Sequence, residues 1–174
     1  MLRNLPTLAL LFAFIAPTPT HARPVPNLKF HDLTHQDHRL NDLHGSITVI
    51  SFWATWCTPC REELPRLSLL SQQYAAQGVR FIAISVDNPK DFAKIQPFLD
   101  QQHVSLNVWT GADLGTLDRL GLGDVVPATI VLDPDGEIIG RISGEARDPD
   151  VTTYLDWLLH HRQGPAPPPT LKRY

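Results

Sequence analysis

The sequence predicts an α/β fold in which a central mixed β-sheet is flanked by helices. Three observations lead to this prediction. Apolar, β-branched runs of strand length recur along the chain, segments of helical length separate them, and a turn rich in Asp, Pro and Gly joins the last two strands. A strand–helix–strand–helix order that closes with a β-hairpin and a helix is typical of one mixed sheet covered by helices.

The individual elements follow from local patterns. Apolar residues fill both faces of the main strands, as expected for strands buried inside a sheet. The predicted strands span residues 47–53, 79–86, 106–109, 128–132 and 137–142, with the hairpin turn at 133–136. The predicted helices span residues 59–77, 89–102, 114–120 and 148–161. An additional N-terminal hairpin is expected from 28–32 and 39–40, around a polar turn at 34–37.

The two ends of the chain differ from this pattern. Arg3, an apolar run over 8–16 and the small residue Ala22 have the order found in secretory signal peptides, so cleavage is expected after residue 22. The apolar run is shorter than the about 20 residues that span a bilayer, although an uncleaved anchor is the alternative. Export places the protein where disulfides persist, in a bacterial periplasm. Residues 23–163 then form one domain, and the Pro-rich segment 164–174 is expected to be polyproline-like or disordered.

Amino-acid composition and charge indicate the domain size and the kinds of binding partner to expect. The hydrophobic fraction of 43% over 174 residues suits a single domain with its own core, which we expect to be monomeric. The formal net charge is −3, and acidic and basic residues alternate along the chain rather than forming blocks. Nothing in this distribution provides the positive surface that binds nucleic acid. No nucleic-acid partner is therefore expected.

Cys57 and Cys60 are the two cysteines of the chain, and they lie where a predicted buried strand meets a predicted helix. At such a junction the unpaired N–H groups and the positive end of the helix dipole point at the first cysteine. Both favour the thiolate, which is the form that attacks disulfides. Cys57 is therefore predicted to be the exposed nucleophile, and Cys60 to resolve the mixed disulfide one turn further on. Pro59 suits the first helical turn, where its missing N–H is not needed.

Other interpretations of the cysteine pair remain open at this point. The pair could be an inert structural disulfide, half of a zinc site, or a pair of copper or haem ligands. A zinc site would require further ligands, and the chain has no second cysteine pair. Haem attachment would require a histidine after Cys60, where Arg61 stands instead. The aromatic residues around the motif favour redox catalysis over all of these.

The wider motif resembles a known family. The residues FWATWCTPCREELP over 52–65, VPAT over 126–129 and DPDG over 133–136 resemble the active-site block of the TlpA/ResA-like thioredoxins. The resemblance extends from about residue 26 to 160. It implies a thioredoxin-like central mixed sheet with an N-terminal hairpin extension. It also implies an exported thiol–disulfide oxidoreductase that needs no cofactor or metal, in a group of which several members serve cytochrome c maturation.

The resemblance assigns roles to particular residues. Pro127 matches the family's cis-proline, which faces the two cysteines and exposes the backbone of Val126 to an extended substrate. Pro65 matches a proline that bends the active-site helix. Glu63 lies three residues after Cys60 on the same helical face, where a partly buried carboxyl would exchange a proton with Cys60; a solvated surface glutamate is the alternative. Ser51 departs from thioredoxin itself, which has a buried aspartate there, so acid–base duty would pass to Glu63 or to water.

Three further residues are expected to meet the substrate. Trp56, Thr58 and Pro59 flank or separate the two cysteines, and the residues between the cysteines tune the relative stability of thiolate and disulfide. The histidines near the predicted N-terminal hairpin are interpreted as solvated residues rather than metal ligands; they are His31, His35 and His38.

The leading hypothesis is a periplasmic reductant of disulfides in exported proteins, with apocytochrome c as a client by family analogy. The oxidising surroundings would keep the cysteine pair closed, so a membrane thiol reductase is expected as the electron donor. Two alternatives are a copper carrier that uses both cysteines and a histidine, and a thiol peroxidase. Metal titration and a peroxide-consumption assay would separate these from disulfide reduction.

Overall fold

A computed structural model describes residues 25–174, so the predicted signal peptide over 1–22 lies outside the described residues. Within the described part, one mixed sheet has the strand order β2-β1-β5-β4-β3-β6-β7-β8. The strands are β1 Lys29–Asp32, β2 Asp37–Arg39, β3 Thr48–Trp53, β4 Arg80–Ser85, β5 Asn107–Thr110, β6 Ala128–Leu132, β7 Ile138–Gly144 and β8 Thr170–Arg173. The helices are α1 Cys60–Tyr74, α2 Ile95–Gln101, α3 Leu114–Arg119 and α4 Asp148–Leu159. The predicted α/β class and its mixed central sheet are confirmed.

The centre of the sheet is β3, which is parallel to β4 and antiparallel to β6. Every residue of β3 is buried, in agreement with its apolar, β-branched sequence. The antiparallel register pairs Phe52 at the end of β3 with Ala128 at the start of β6. Consequently the cysteine motif, which follows β3, and the proline that precedes β6 lie at the same edge of the sheet.

Successive side chains of β3 point to opposite faces of the sheet and pack in two separate hydrophobic clusters. Ile50 and Phe52 pack in a cluster with Leu117 of α3 on one face. Val49 packs on the other face, in a cluster with Leu67 of α1 and residues of α4. Both faces of the sheet are therefore covered by helices. Burial of each of these large apolar side chains stabilises the folded state by about 1.5–3 kcal/mol relative to its exposure to water.

The N-terminal hairpin forms, with boundaries that differ slightly from the expected ones. β1 and β2 pair antiparallel, and β1 also pairs with β5, so the hairpin extends the main sheet. Leu40, expected in the second strand, instead begins a short 3₁₀ turn over 40–43 and is fully buried. The reason is tertiary, because Leu40 fills the same core cluster as Phe30.

The C-terminal tail differs from its prediction. The segment 164–174 was expected to be polyproline-like or disordered, but its last residues form β8, which pairs parallel with β7. The side chain of Arg173 is ion-paired with Asp150 of α4, and the Tyr154 hydroxyl donates to the Pro168 carbonyl. The prediction was wrong for two reasons. The four residues of β8 are not prolines and so keep the N–H groups that a strand needs, and β7 would otherwise be an open edge of the sheet.

Candidate active site

The two cysteines lie at the predicted junction between a strand and a helix. β3 ends at Trp53, a short loop carries Cys57, and α1 begins at Cys60. Pro59 is the N-cap residue, directly before the helix, and its φ of −65° is the value that the proline ring imposes. The two sulfur atoms are joined as a disulfide, with the Cα atoms 5.4 Å apart.

A backbone N–H at the start of α1 faces the Cys57 sulfur. The Cys60 N–H donates to Cys57 Sγ at 3.3 Å. A donor at this distance, together with the dipole of the 15-residue helix α1, favours negative charge on that sulfur once the disulfide is opened. This contact supports the prediction that Cys57, rather than Cys60, is the attacking thiolate.

The exposure of Cys57 corrects one expectation. It was predicted to be exposed, yet in the disulfide form 4% of its surface is accessible, against 0% for Cys60. The sulfurs cover each other when bonded, and Cys57 belongs to the apolar cluster around Trp53. The rim of the site is open instead: Trp56 is 63% exposed, and Thr58 and Pro59 are exposed.

A buried carboxylate anchors the loop that precedes Cys57. Asp87, just after β4, accepts hydrogen bonds from the Thr55 N–H at 3.0 Å and from the Thr55 hydroxyl at 2.8 Å. The Ser85 hydroxyl donates to the same side chain at 2.8 Å. Because Thr55 is two residues before Cys57, this pair fixes the path of the chain into the motif. No role was predicted for Asp87 from the sequence.

Glu63 lies fully inside the protein, one turn after Cys60. Its Oε1 accepts from the Ser51 hydroxyl at 2.9 Å, and its Oε2 accepts from the Ala146 N–H at 2.7 Å. The Thr129 hydroxyl lies 3.5 Å from Oε1, at the outer limit of a hydrogen bond. Burial raises the pKa of Glu63 to about 7, although these donors and the charge of Arg66 oppose the rise. The alternative of a solvated surface glutamate is therefore wrong.

Ser51, which stands where thioredoxin has a buried aspartate, contacts Glu63 directly. Ser51 and Thr129 are directly opposed on the antiparallel strands β3 and β6, so their side chains share one face of the sheet. Both hydroxyls point at Glu63 from that face. The antiparallel pairing of β3 and β6, which was not predicted from the sequence, places the two hydroxyls side by side.

The proline opposite the cysteines has the predicted conformation. The Val126–Pro127 peptide bond is cis, and Pro127 precedes β6 at the edge where β3 ends. Val126 packs against the cluster that contains Cys57 and Cys60. In the described part of the chain, no backbone–backbone hydrogen bond uses Val126, whereas the Pro127 carbonyl accepts from the Gly144 N–H at 3.0 Å.

The arrangement is suited to thiol–disulfide exchange. It combines a bonded cysteine pair, an N–H donor that favours one thiolate, and a buried carboxyl with a pKa of about 7. Among residues 25–174 no group of three or more His, Cys, Asp or Glu side chains is placed to hold a metal ion. The hairpin histidines instead contact carboxylates, His31 on Asp37 and His38 on Asp32.

Comparisons with known proteins agree with the geometry. A ResA thiol–disulfide oxidoreductase of Geobacillus thermodenitrificans is 29% identical over 131 residues, which cover 75% of this chain and 74% of the relative. One from Bacillus thuringiensis is 30% identical over 133 residues, with coverage of 76% and 75%. A crystal structure of a thiol:disulfide interchange protein from Chlorobium tepidum superposes with TM-score 0.67 and 22% identity, over 82% of this chain and 99% of that one.

The relatives confirm the resemblance to the ResA-like thioredoxins and the assignment as a thiol–disulfide oxidoreductase. A model of the AhpC/TSA family matches residues 22–141, which is more than half of the chain. The protein therefore belongs to the AhpC/TSA family.

Proposed function

We propose that a signal peptide over residues 1–22 directs export of the protein and is then cleaved, and that the protein reduces disulfide bonds of proteins in the periplasm. The observation that carries the proposal is the hydrogen bond from the Cys60 N–H to Cys57 Sγ at the start of α1. It favours the Cys57 thiolate, which is the species needed to attack a disulfide of another protein. No helix within the described residues is long and apolar enough to cross a membrane.

The reaction would proceed in two exchanges. The Cys57 thiolate attacks one sulfur of the substrate disulfide, a mixed disulfide forms, and the other substrate sulfur leaves as a thiolate that takes up a proton. Cys60 then loses its proton and attacks Cys57 Sγ, which releases the second substrate thiolate and closes the Cys57–Cys60 disulfide. Two electrons pass to the substrate, and a membrane thiol reductase would return the enzyme to its dithiol form.

Glu63 would accept the proton of Cys60 in the second exchange. It lies one turn along α1 on the same face as Cys60, and a pKa of about 7 leaves carboxylate and acid both populated near neutral pH. The Ser51 hydroxyl and the Ala146 N–H, which hold the two oxygens, keep the ionised form accessible inside the apolar surroundings.

The substrate would dock on the exposed rim of the site. Trp56, Thr58 and Pro59 provide contact surface around Cys57, and the open backbone of Val126 beside Pro127 would pair with an extended segment of the client. A disulfide-containing exported protein, apocytochrome c among them, fits this mode of binding. We further propose that the enzyme acts as a monomer.

Cysteine variants test the proposal directly. Cys57→Ser should abolish insulin reduction and trap no substrate, whereas Cys60→Ser should accumulate mixed disulfides through Cys57. Equal activity of wild type and both variants would refute the mechanism. The equilibrium potential against glutathione then decides the direction: a value of about −270 mV supports a reductant, and one of about −120 mV an oxidant.

A further inference from the structure

The peptide of Ala146 is held from both sides by the same helix. Its N–H donates to Glu63 Oε2 at 2.7 Å, and its carbonyl accepts from Arg66 Nη1 at 3.0 Å. Glu63 and Arg66 are three positions apart, and therefore neighbours on one face of α1. The loop between β7 and α4, which carries Ala146, has no other contact with Glu63 through a hydrogen bond in the described residues.

The Arg66 side chain is itself fixed by two carboxylates. Nη1 also donates to Asp148 at 2.9 Å, and Nη2 donates to Glu145 at 2.6 Å. These two acids flank Ala146 in the sequence, so one planar guanidinium contacts three residues of a four-residue segment. The Arg66 side chain is 31% exposed, so part of it faces solvent and the rest packs against the loop. Arginine suits this task because its donors form a rigid fork.

We propose that Arg66 is a positioning residue, which keeps the Ala146 N–H on Glu63 and so sets the pH at which Glu63 can accept the proton of Cys60. The inference rests on the proposed function of Glu63 and goes beyond the cysteine motif, because Arg66 touches neither sulfur nor substrate. It acts through the main chain of another segment, 80 residues further along the chain.

The sign of the effect follows from the groups that face Glu63. These are Arg66 on its own helix, Glu145 on the adjoining loop, and the hydroxyls of Ser51 and Thr129 on the sheet. Cys60 lies three residues earlier along α1, on the same helical face. Burial raises the pKa of Glu63, while the Ala146 N–H, the Ser51 hydroxyl and Arg66 lower it and Glu145 raises it. Loss of Arg66 removes a nearby positive charge and frees the Ala146 peptide, and both changes favour the protonated acid.

The test compares the wild type with Arg66→Gln. A ¹³C NMR titration of the Glu63 carboxyl in the oxidised protein should give a pKa about 1 unit higher in the variant, the size of a single neighbouring charge. The pH at which insulin reduction reaches half its maximal rate should rise by a similar amount. Arg119→Gln, which removes an exposed arginine of α3, is the matched control and should leave both readouts at their wild-type values.

Two further variants keep the inference falsifiable. Arg66→Lys retains the positive charge but lacks the planar guanidinium, so it should also raise the Glu63 pKa, by a smaller amount. It replaces Arg66→Gln in the test if that variant does not fold. In a Glu63→Gln background, Arg66→Gln should no longer move the pH profile. An unchanged Glu63 pKa in both Arg66 variants, or an equal displacement of the pH profile without Glu63, overturns the inference. A wild type that reduces no insulin refutes the proposed function instead, and the NMR titration still decides the role of Arg66.

Discussion

The buried carboxyl of Glu63 should make the stability of the oxidised protein depend on pH in a specific window. Its pKa is about 7 in the folded protein, against an ordinary value of 4.5 in the unfolded chain. Between these values the folded state binds more protons than the unfolded state, so stability decreases as the pH rises. The contribution is fully present below pH 4.5 and is lost as the pH passes through about 7.

The size of this contribution follows from the difference between the folded and unfolded pKa values of Glu63. One pKa unit corresponds to about 1.4 kcal/mol, and Glu63 is 0% exposed, so solvent screening does not reduce the effect. From pH 4.5 to above 7 the free energy of unfolding should fall by about 3 kcal/mol through Glu63 alone. Glu63→Gln carries no titrating group, and its amide is close in shape to the protonated acid, so it should lack this decrease.

Urea unfolding of the disulfide-bonded protein at a series of pH values measures the effect. The difference between wild type and Glu63→Gln isolates the contribution of this residue, because every other group is the same in both proteins. Glu62→Gln, its exposed neighbour on α1, is the matched control and should follow the wild type. Wild-type and Glu63→Gln curves that run parallel across the whole range would refute the reasoning.

Three other substitutions or deletions test contacts away from Glu63. Asp87→Ala should lower the free energy of unfolding by about 1–3 kcal/mol, because it leaves the Thr55 N–H without its buried acceptor; urea titration measures this, and a change near zero would contradict the anchoring role. Deletion of 164–174 should cost about 2 kcal/mol by removing the hydrogen bonds of β8 and the acceptor of the Tyr154 hydroxyl; a truncated protein with the urea midpoint of the full chain would argue against a structural tail. Gly140→Ala should cost about 1–3 kcal/mol, since its Cβ would lie 2.5 Å from the Tyr154 ring; thermal unfolding checks this, and an unchanged midpoint would mean that the ring moves freely.

Much of the fold could be predicted because its signals are local. The strand at 128–132 was predicted with the boundaries that the structure has, and the helix after the cysteines was predicted to within a few residues at its C-terminal end. The main disagreement is β8, which depends on the open edge of β7, a feature of the assembled sheet rather than of the tail. The signal peptide stays a prediction.

The candidate site was predicted in part. The cysteine pair and the cis bond before Pro127 are as expected, because motif residues at fixed spacing carry them. Cys57 proved to be covered in the disulfide form, and the contacts of Glu63 were not foreseen. Burial of a single side chain depends on what packs over it, which local spacing on a helix does not reveal.

The class of fold and the type of chemistry follow from the amino-acid sequence alone. Side-chain periodicity is a local signal for strands and helices, and the spacing of Cys57 and Cys60 brings both to the start of α1. The proton chemistry around them depends on tertiary packing. Ala146 reaches Glu63 from 83 positions away, and burial between α1 and the sheet moves the Glu63 pKa to about 7. Desolvation and long-range hydrogen bonds depend on the whole packed chain, so no local pattern records them.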